Sequence, residues 1–305
     1  MERAISTNTA RDLGRLLSWT AGLCFIGHGA WGIITKADWL PFYAVFGIPA
    51  EIAWKLMPLT GAFDIALGLS MFFRPAWPVI GWMAIWTVVT AFLRPLSGMA
   101  HWEVWERAGN FGPPLALLVL FVSPRMSLFA DGPWQTTRKR MGWARLLLLA
   151  CLSSLLLGHG AFGLLVQKSL LVRHWAALGM SNPLQFVQAS GAFEILLALL
   201  VLAAPSRSLY LFILAWKLGT EFLYPVAGRA LDVFEFIERW GDFGIPVALM
   251  VLENATRGAS RSRGEVGPEE PGLERTQTPH ARAFQALAPE GSGPRRGQPP
   301  TGWAV

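Results

Sequence analysis

Long apolar windows recur from residue 15 to residue 252, with polar residues gathered between them, and this pattern limits the fold more than any other feature. A helix that crosses a bilayer core about 30 Å thick needs about 20 mostly apolar residues, and windows of that length repeat here. A membrane barrel would instead show short strands of alternating polarity. Only 15% of the residues are charged, where a soluble domain has about a quarter, and 53% are hydrophobic, with fifteen Trp and a mean hydropathy of +0.39. The predicted class is an all-α integral membrane protein in contact with the lipid bilayer.

The windows form two series. "FLRPLSG" at 92–98 matches "FLYPVAG" at 222–228, and "GAFDI" at 61–65 matches "GAFEI" at 191–195. "EVWERAGNFGPPLAL" at 103–117 and "EFIERWGDFGIPVAL" at 235–249 are identical at nine of fifteen positions. An offset that stays between 130 and 132 reads as tandem duplication. Eight spans are predicted, as two parallel four-helix bundles: roughly 15–34, 55–73, 77–97 and 107–123, then 144–166, 185–204, 206–227 and 239–253. Residues 1–14 form an N-terminal segment, 15–123 the first membrane repeat, 124–143 a basic linker and 144–253 the second repeat. Residues 254–305 are rich in Pro, Gly, Arg and Glu and read as a disordered tail. The first window reads as a span that stays and not as a removable signal peptide, because its counterpart lies in mid-chain.

Thirteen Lys and Arg residues fall on the side of the termini and the linker, against eight on the other. The positive-inside rule then places both termini and the linker in the cytoplasm of a multi-pass cell-membrane protein. An even number of spans per repeat makes the repeats parallel, related by rotation about the membrane normal. The net charge of +6 follows the loops and the tail, so it points to orientation and not to nucleic acid. Cys24 and Cys151 stand at non-equivalent apolar positions and form no CxxC, which argues against a thiol relay.

Against this background the ionisable residues inside the windows stand out. "GHGAWG" places His28 roughly 20 Å along the first span, and "GHGAFG" repeats it as His159. Asp64 and Glu194 lie near the middle of the next spans. Ionisable groups at such depths face the bundle interior and pair, so His28 is expected on Asp64 and His159 on Glu194. Such pairs serve as structural locks or as an active site. A competing arrangement is a single haem ligated by both histidines across the repeats.

"ExxER" occurs twice, and Glu103 with Arg107 and Glu235 with Arg239 are spaced as interfacial i, i+4 ion pairs. A two-carboxylate metal site there is not supported: His101 has only Val233 as its counterpart, and no ExxH or HxxxH spacing occurs. The repeats differ in span seven, where Lys217 and Glu221 stand in place of Thr87 and Ala91. The second repeat therefore gathers His159, Glu194, Lys217 and Glu221, which become the candidate catalytic group. His28 and Asp64 are their supporting equivalents in the first, and a polar pocket is expected between spans five, six and seven.

With a glycine-bearing first span, the stretch "LPFYAVFGIPAEIAW" and an acidic residue in the Gly-rich second span ("LTGAFDIALGL", "ASGAFEILLAL"), each repeat resembles the DoxX-like family of four-span membrane proteins. The family's acidic position falls on Asp64 and Glu194. Because the family includes a subunit of a thiosulfate:quinone oxidoreductase, the resemblance implies a quinone-linked redox role, with quinone or a redox protein as partner. A small-molecule or proton carrier, suited to parallel repeats and mid-membrane charge, is the second class. A non-catalytic membrane assembly protein is the third. No motif in the chain names a substrate.

Overall fold

Helices account for almost all of the ordered chain because its apolar windows leave backbone groups no other partner than their own helix. The computed structural model describes residues 7–122, 134–228 and 230–264. The first six helices are α1 (Thr7–Ile34), α2 (Leu40–Val45), α3 (Ala50–Phe73), α4 (Trp77–Leu96), α5 (Trp102–Glu106) and α6 (Ala108–Phe121). The rest are α7 (Arg138–Ala161), α8 (Ser169–Ala177), α9 (Pro183–Ala203), α10 (Arg207–Glu221), α11 (Leu223–Ala227), α12 (Val233–Glu238) and α13 (Gly241–Gly264). Among the described residues there is no strand. The N-terminal residues 1–6, residues 123–133 with the first half of the linker, residue 229 and the tail from 265 lie outside the described residues.

Five helical stretches are long and apolar enough to cross a membrane: Asn8–Ile34, Ala50–Phe73, Trp77–Leu96, Arg138–Val166 and Pro183–Ala203. The other three expected spans are also helical but differ in kind. Helix α6 has only 14 residues. Helix α10 stops at Glu221, four residues before Pro225, whose ring excludes the Glu221 carbonyl from the usual helical pairing. Helix α13 carries Asp242 and Glu253, and it continues to Gly264, past residue 253 where the apolar pattern ends. Helix α7 begins at Arg138, ahead of the apolar window, because the Thr137 hydroxyl accepts from the Arg140 backbone N–H and caps it.

The two expected bundles share one core. Leu13, Leu17 and Ala21 of α1 meet Leu117 and Leu120 of α6, Leu148, Leu152 and Leu155 of α7, and Ile245, Ala248, Leu249 and Leu252 of α13. Helix α1 packs on α3, α6 and α12, while α7 packs on α9, α6 and α5. The physical reason for one core is that α1 and α7 are apolar around most of their circumference and must be covered on several sides. Helices α3, α4, α9 and α10 lie outside. They turn Leu59, Phe63, Ile85, Phe92, Leu199, Leu202 and Leu211 outward, each at least half exposed. An apolar exterior of that extent suits lipid, not water.

Each glycine of "GHGxxG" has a task. A Cβ on Gly27 would overlap the backbone of Glu238 in α12, and a Cβ on Gly158 would overlap that of Glu106 in α5. Gly29 and Gly32 meet Gly61 of α3 backbone to backbone, and Gly160 and Gly163 meet Gly191 of α9 in the same way. Small residues let helix backbones approach closely. The first glycine therefore seats a short helix from the other half of the chain, and the later ones seat the next long helix of the same half. Helix α1 then ends on a residue in the left-handed region, Thr35 (φ 62°), and α7 runs through a π-helical turn, Phe162–Val166, to another, Gln167 (φ 52°). That conformation costs a non-glycine residue on the order of 1 kcal/mol, and it delivers Lys36 and Lys168 to the charged layer described below.

Gly27→Ala and Gly158→Ala should each destabilise the protein by about 1–3 kcal/mol, as overpacking does. Gly81→Ala, where a Cβ meets nothing within 4 Å, should be neutral or stabilise by up to about 1 kcal/mol. Thermal denaturation of the three variants in detergent measures both.

Candidate functional site

The short helices α5 and α12 carry the two "ExxER" motifs and exchange partners between the halves of the chain. Arg107 pairs with Glu238, and Arg239 reaches Glu106 at 3.2 Å. Lys36 pairs with Glu235, and Lys168 holds Glu103 at 3.0 Å. Of the two expected i, i+4 pairs, Glu235–Arg239 is present at 2.7 Å. The Glu103–Arg107 side-chain pair is not. Glu103 turns to Arg94 at 3.3 Å and to Lys168, while Arg107 lies 3.1 Å from Glu106 and pairs with Glu238. The correction has a simple cause: Arg94 offers Glu103 a nearer cation, and Tyr224 stands at the position corresponding to Arg94 in the second half. There the tyrosine ring instead lies under the Arg239 guanidinium, 4.4 Å from its centroid. All four motif glutamates are buried, so the layer is internal and not a surface network.

His28 Nδ1 lies 2.9 Å from Asp64 Oδ2, and His159 Nδ1 lies 2.5 Å from Glu194 Oε2. Each imidazole is thus held by the carboxylate of its own half, not turned towards the other histidine. His28 also stacks on Trp39, with ring centroids 4.6 Å apart.

The second half adds to its dyad. Lys217 Nζ sits 2.5 Å from Glu221, 3.2 Å from Asp242 and 3.7 Å from Glu194. Glu221 also lies 3.4 Å from His159 Nε2 and 3.2 Å from Arg239 Nε. Trp216 Nε1 donates to the second oxygen of Glu194 at 2.9 Å. The structure therefore brings together His159, Glu194, Lys217 and Glu221. Lys217 and Glu221 have no exposed surface at all. Sequence reasoning missed Asp242, Trp216 and the link to Arg239. Asp242 had a signal: it stands where the first half has Asn110, so it belongs to the same set of differences as Lys217 and Glu221.

Charge decides what this cluster must contain. Among the described residues, six cations (Lys36, Arg94, Arg107, Lys168, Lys217, Arg239) face seven carboxylates (Glu103, Glu106, Glu194, Glu221, Glu235, Glu238, Asp242) through the pairs named above. An uncompensated buried charge is costly. One proton, on His159 or on a carboxylate beside it, brings the set to neutrality. The recess at His159 is about 30 Å³ and is bordered by His174, Ser190, Thr220 and Tyr224. At roughly 10–15 Å³ per water, it holds about two waters.

Among the described residues, no group of three His, Cys, Asp or Glu side chains is placed to hold a metal ion. Both cysteines are buried and unbonded. Comparison with family models, curated proteins and solved structures finds no match.

Burial alone would raise Glu106, Glu235 and Glu238, but their cations prevail. Arg107 and Arg239 hold Glu106 well below the usual carboxylate range, Arg239 and Lys36 do so for Glu235, and Arg107 lowers Glu238. A depressed carboxylate stabilises the fold above its unfolded pKa, about 4.3, and that contribution is lost as pH falls through the lower folded value. The melting temperature in detergent should accordingly stay level from about pH 8 to 5 and drop below about pH 4. Arg107→Gln, which strands Glu238, should cost about 3–5 kcal/mol.

Proposed function

We propose that the chain is an eight-span protein of the cell membrane, made of two parallel four-span halves with both termini and linker 124–143 in the cytoplasm, and that the buried His159 group exchanges protons in a carrier. The observation that carries the reading is the charge count: a buried set one cation short must hold a proton, and a water-sized recess borders the histidine. Relay of that proton from Glu194 or Glu221 to His159 needs no large movement, since both carboxylates already touch the ring. Lys217 acts as the fixed counter-charge that keeps either carboxylate ionised after the proton leaves.

The quinone-linked redox role that the DoxX-like resemblance implies requires a quinone ring within hydrogen-bond reach of the acid and base. The recess at His159 is too small for a ring, so the geometry supports the carrier over that role. A pure assembly protein has no need of Lys217 and Glu221, because apolar residues of similar volume would fill a structural helix at equal or lower cost.

Infrared difference spectra of the protein in lipid nanodiscs, recorded between about pH 5 and 9, should show one proton titrating, in the imidazole bands of His159 or in the bands of a carboxyl group beside it. His159→Ala and Glu221→Gln should each abolish or shift that signal while the folded helical spectrum persists. A silent spectrum in the wild type, or an unchanged one in both variants, overturns the proposal in favour of a structural lock. Stoichiometric quinone in an organic extract of the purified protein would restore the redox role. For the topology, reporter fusions at residue 135 and at the C-terminus should both report the cytoplasm, and an external signal from either refutes the orientation.

A further inference from the structure

The position in the first half that corresponds to the His159 recess is much larger. A cavity of about 190 Å³ lies beside His28, walled by Trp39, Phe42, Tyr43 and Trp86 and ended by Arg94. A cavity of roughly 150 Å³ suffices for benzene, so a substituted six-membered ring fits here. The residues that fill the matching space in the second half explain the difference. Tyr224 takes the place of Arg94, and His174 and Trp175 of α8 line the recess.

The cavity is not merely apolar. Arg94 stands with its guanidinium 5.5 Å from the Phe42 centroid, and among the described residues Glu103 is its ion-pair partner, at 3.3 Å. Lys168 shares that carboxylate, and the buried Nε of Arg94 has no hydrogen-bond partner among the described residues. The Tyr43 and Thr60 hydroxyls, 3.0 Å apart, and Thr90 add hydrogen-bonding groups along the wall. His28 offers Nε2, since its Nδ1 is held by Asp64.

A second observation singles out the same place. In the second half, Glu194 satisfies both His159 and Trp216. Asp64 is one methylene shorter. It holds His28, but its other oxygen and the Nε1 of Trp86 have no hydrogen-bond partner, although both are buried. An indole N–H without a partner is costly in a structure that otherwise pairs its buried polar groups, and Trp86 borders this cavity.

We infer that the cavity beside His28 is a binding site for a small aromatic carboxylate, its ring between Trp39, Phe42 and Tyr43 and its carboxylate at Arg94. The aromatic walls favour a flat apolar body. The guanidinium favours a carboxylate over a neutral polar group, because a charge-assisted hydrogen bond is about twice as strong as a neutral one. This site is separate from the His159 group, and it stands or falls independently of proton exchange there.

The test uses the full chain in detergent with benzoate as the probe and benzyl alcohol as its uncharged counterpart, binding being followed by ligand-detected NMR and by intrinsic tryptophan fluorescence. Benzoate should bind saturably, one per chain, about tenfold or more tighter than benzyl alcohol. Arg94→Gln should remove that preference. Because Arg94→Gln also frees Glu103 and can unfold the protein, Thr90→Leu is the second variant: it narrows the wall without touching a charge and should abolish binding of both compounds. Absence of saturable benzoate binding by a wild-type protein that melts normally overturns the inference. Equal affinity for the two compounds does so too, as does full binding by Thr90→Leu.

Discussion

Two short helices, α5 and α12, are bound to the opposite half of the chain by the reciprocal pairs Arg107–Glu238, Arg239–Glu106, Lys36–Glu235 and Lys168–Glu103, and the remaining architecture is arranged around this exchange. Such pairs add little net stability, since the loss of hydration nearly offsets their attraction. Their effect is on specificity. A shift of α12 by one residue along α1 would leave several buried charges without partners at several kcal/mol each. It would also drive the backbone of Glu238 off the one position, Gly27, where a Cβ is missing. Steric and electrostatic complementarity thus select the same register, and the register of α12 on α1 and of α5 on α7 in turn fixes where the long helices cross.

The position of the histidines follows from the same constraint. A residue between the glycine that seats the other half's helix and the glycine that seats the next helix of its own half lies where three helices converge. Any side chain there is buried on most sides, and an apolar one would be adequate for packing. Histidine adds a group that reaches the acid of α3 or α9 through Nδ1 and still presents Nε2 elsewhere. In the second half Nε2 meets Glu221 at 3.4 Å, which joins the dyad to Arg239 and so to the reciprocal layer. In the first half Nε2 has no such neighbour among the ion pairs, and the imidazole borders a cavity instead. Identical hexapeptide patterns therefore border a small recess in one half and a larger cavity in the other, and Arg94 of α4 against Tyr224 of α11 is one of the differences between them.

Much of this was legible in the sequence. Hydropathy alone indicated helices of membrane length, and the depth of the ionisable residues indicated that His28 and Asp64, or His159 and Glu194, would share an interior. Two features were not legible. The exchange of partners by "ExxER" escapes a local reading because i, i+4 spacing describes neighbours on one helix, whereas α5 and α12 are too short to bury four charges by themselves and must find partners elsewhere. The single core shared by both halves escapes it because an apolar helix looks alike whether lipid or protein covers it. Only the glycine pattern distinguishes α1 and α7, the central helices, from α3 and α9, and it does so through backbone approach, which hydropathy does not weigh.

The unequal charge of the two halves has a further physical consequence. Lys217, Glu221 and Asp242 occupy the second half as a set, where the first half has Thr87, Ala91 and Asn110, and the members of the set are mutually dependent. Lys217 without Glu221 and Asp242 would be a fully buried cation, and the two acids without Lys217 would add two negative charges to a layer already rich in carboxylates. No single substitution converts one half into the other without leaving a charge unpaired. Among the described residues, the dyad of the first half, His28 with Asp64, makes no further ion pair, and an open cavity lies at its side. The charged set thus separates the halves at positions 87 and 91 of the first and 217 and 221 of the second. The cavity beside His28 is bounded elsewhere, with Arg94 at its end where the second half has Tyr224.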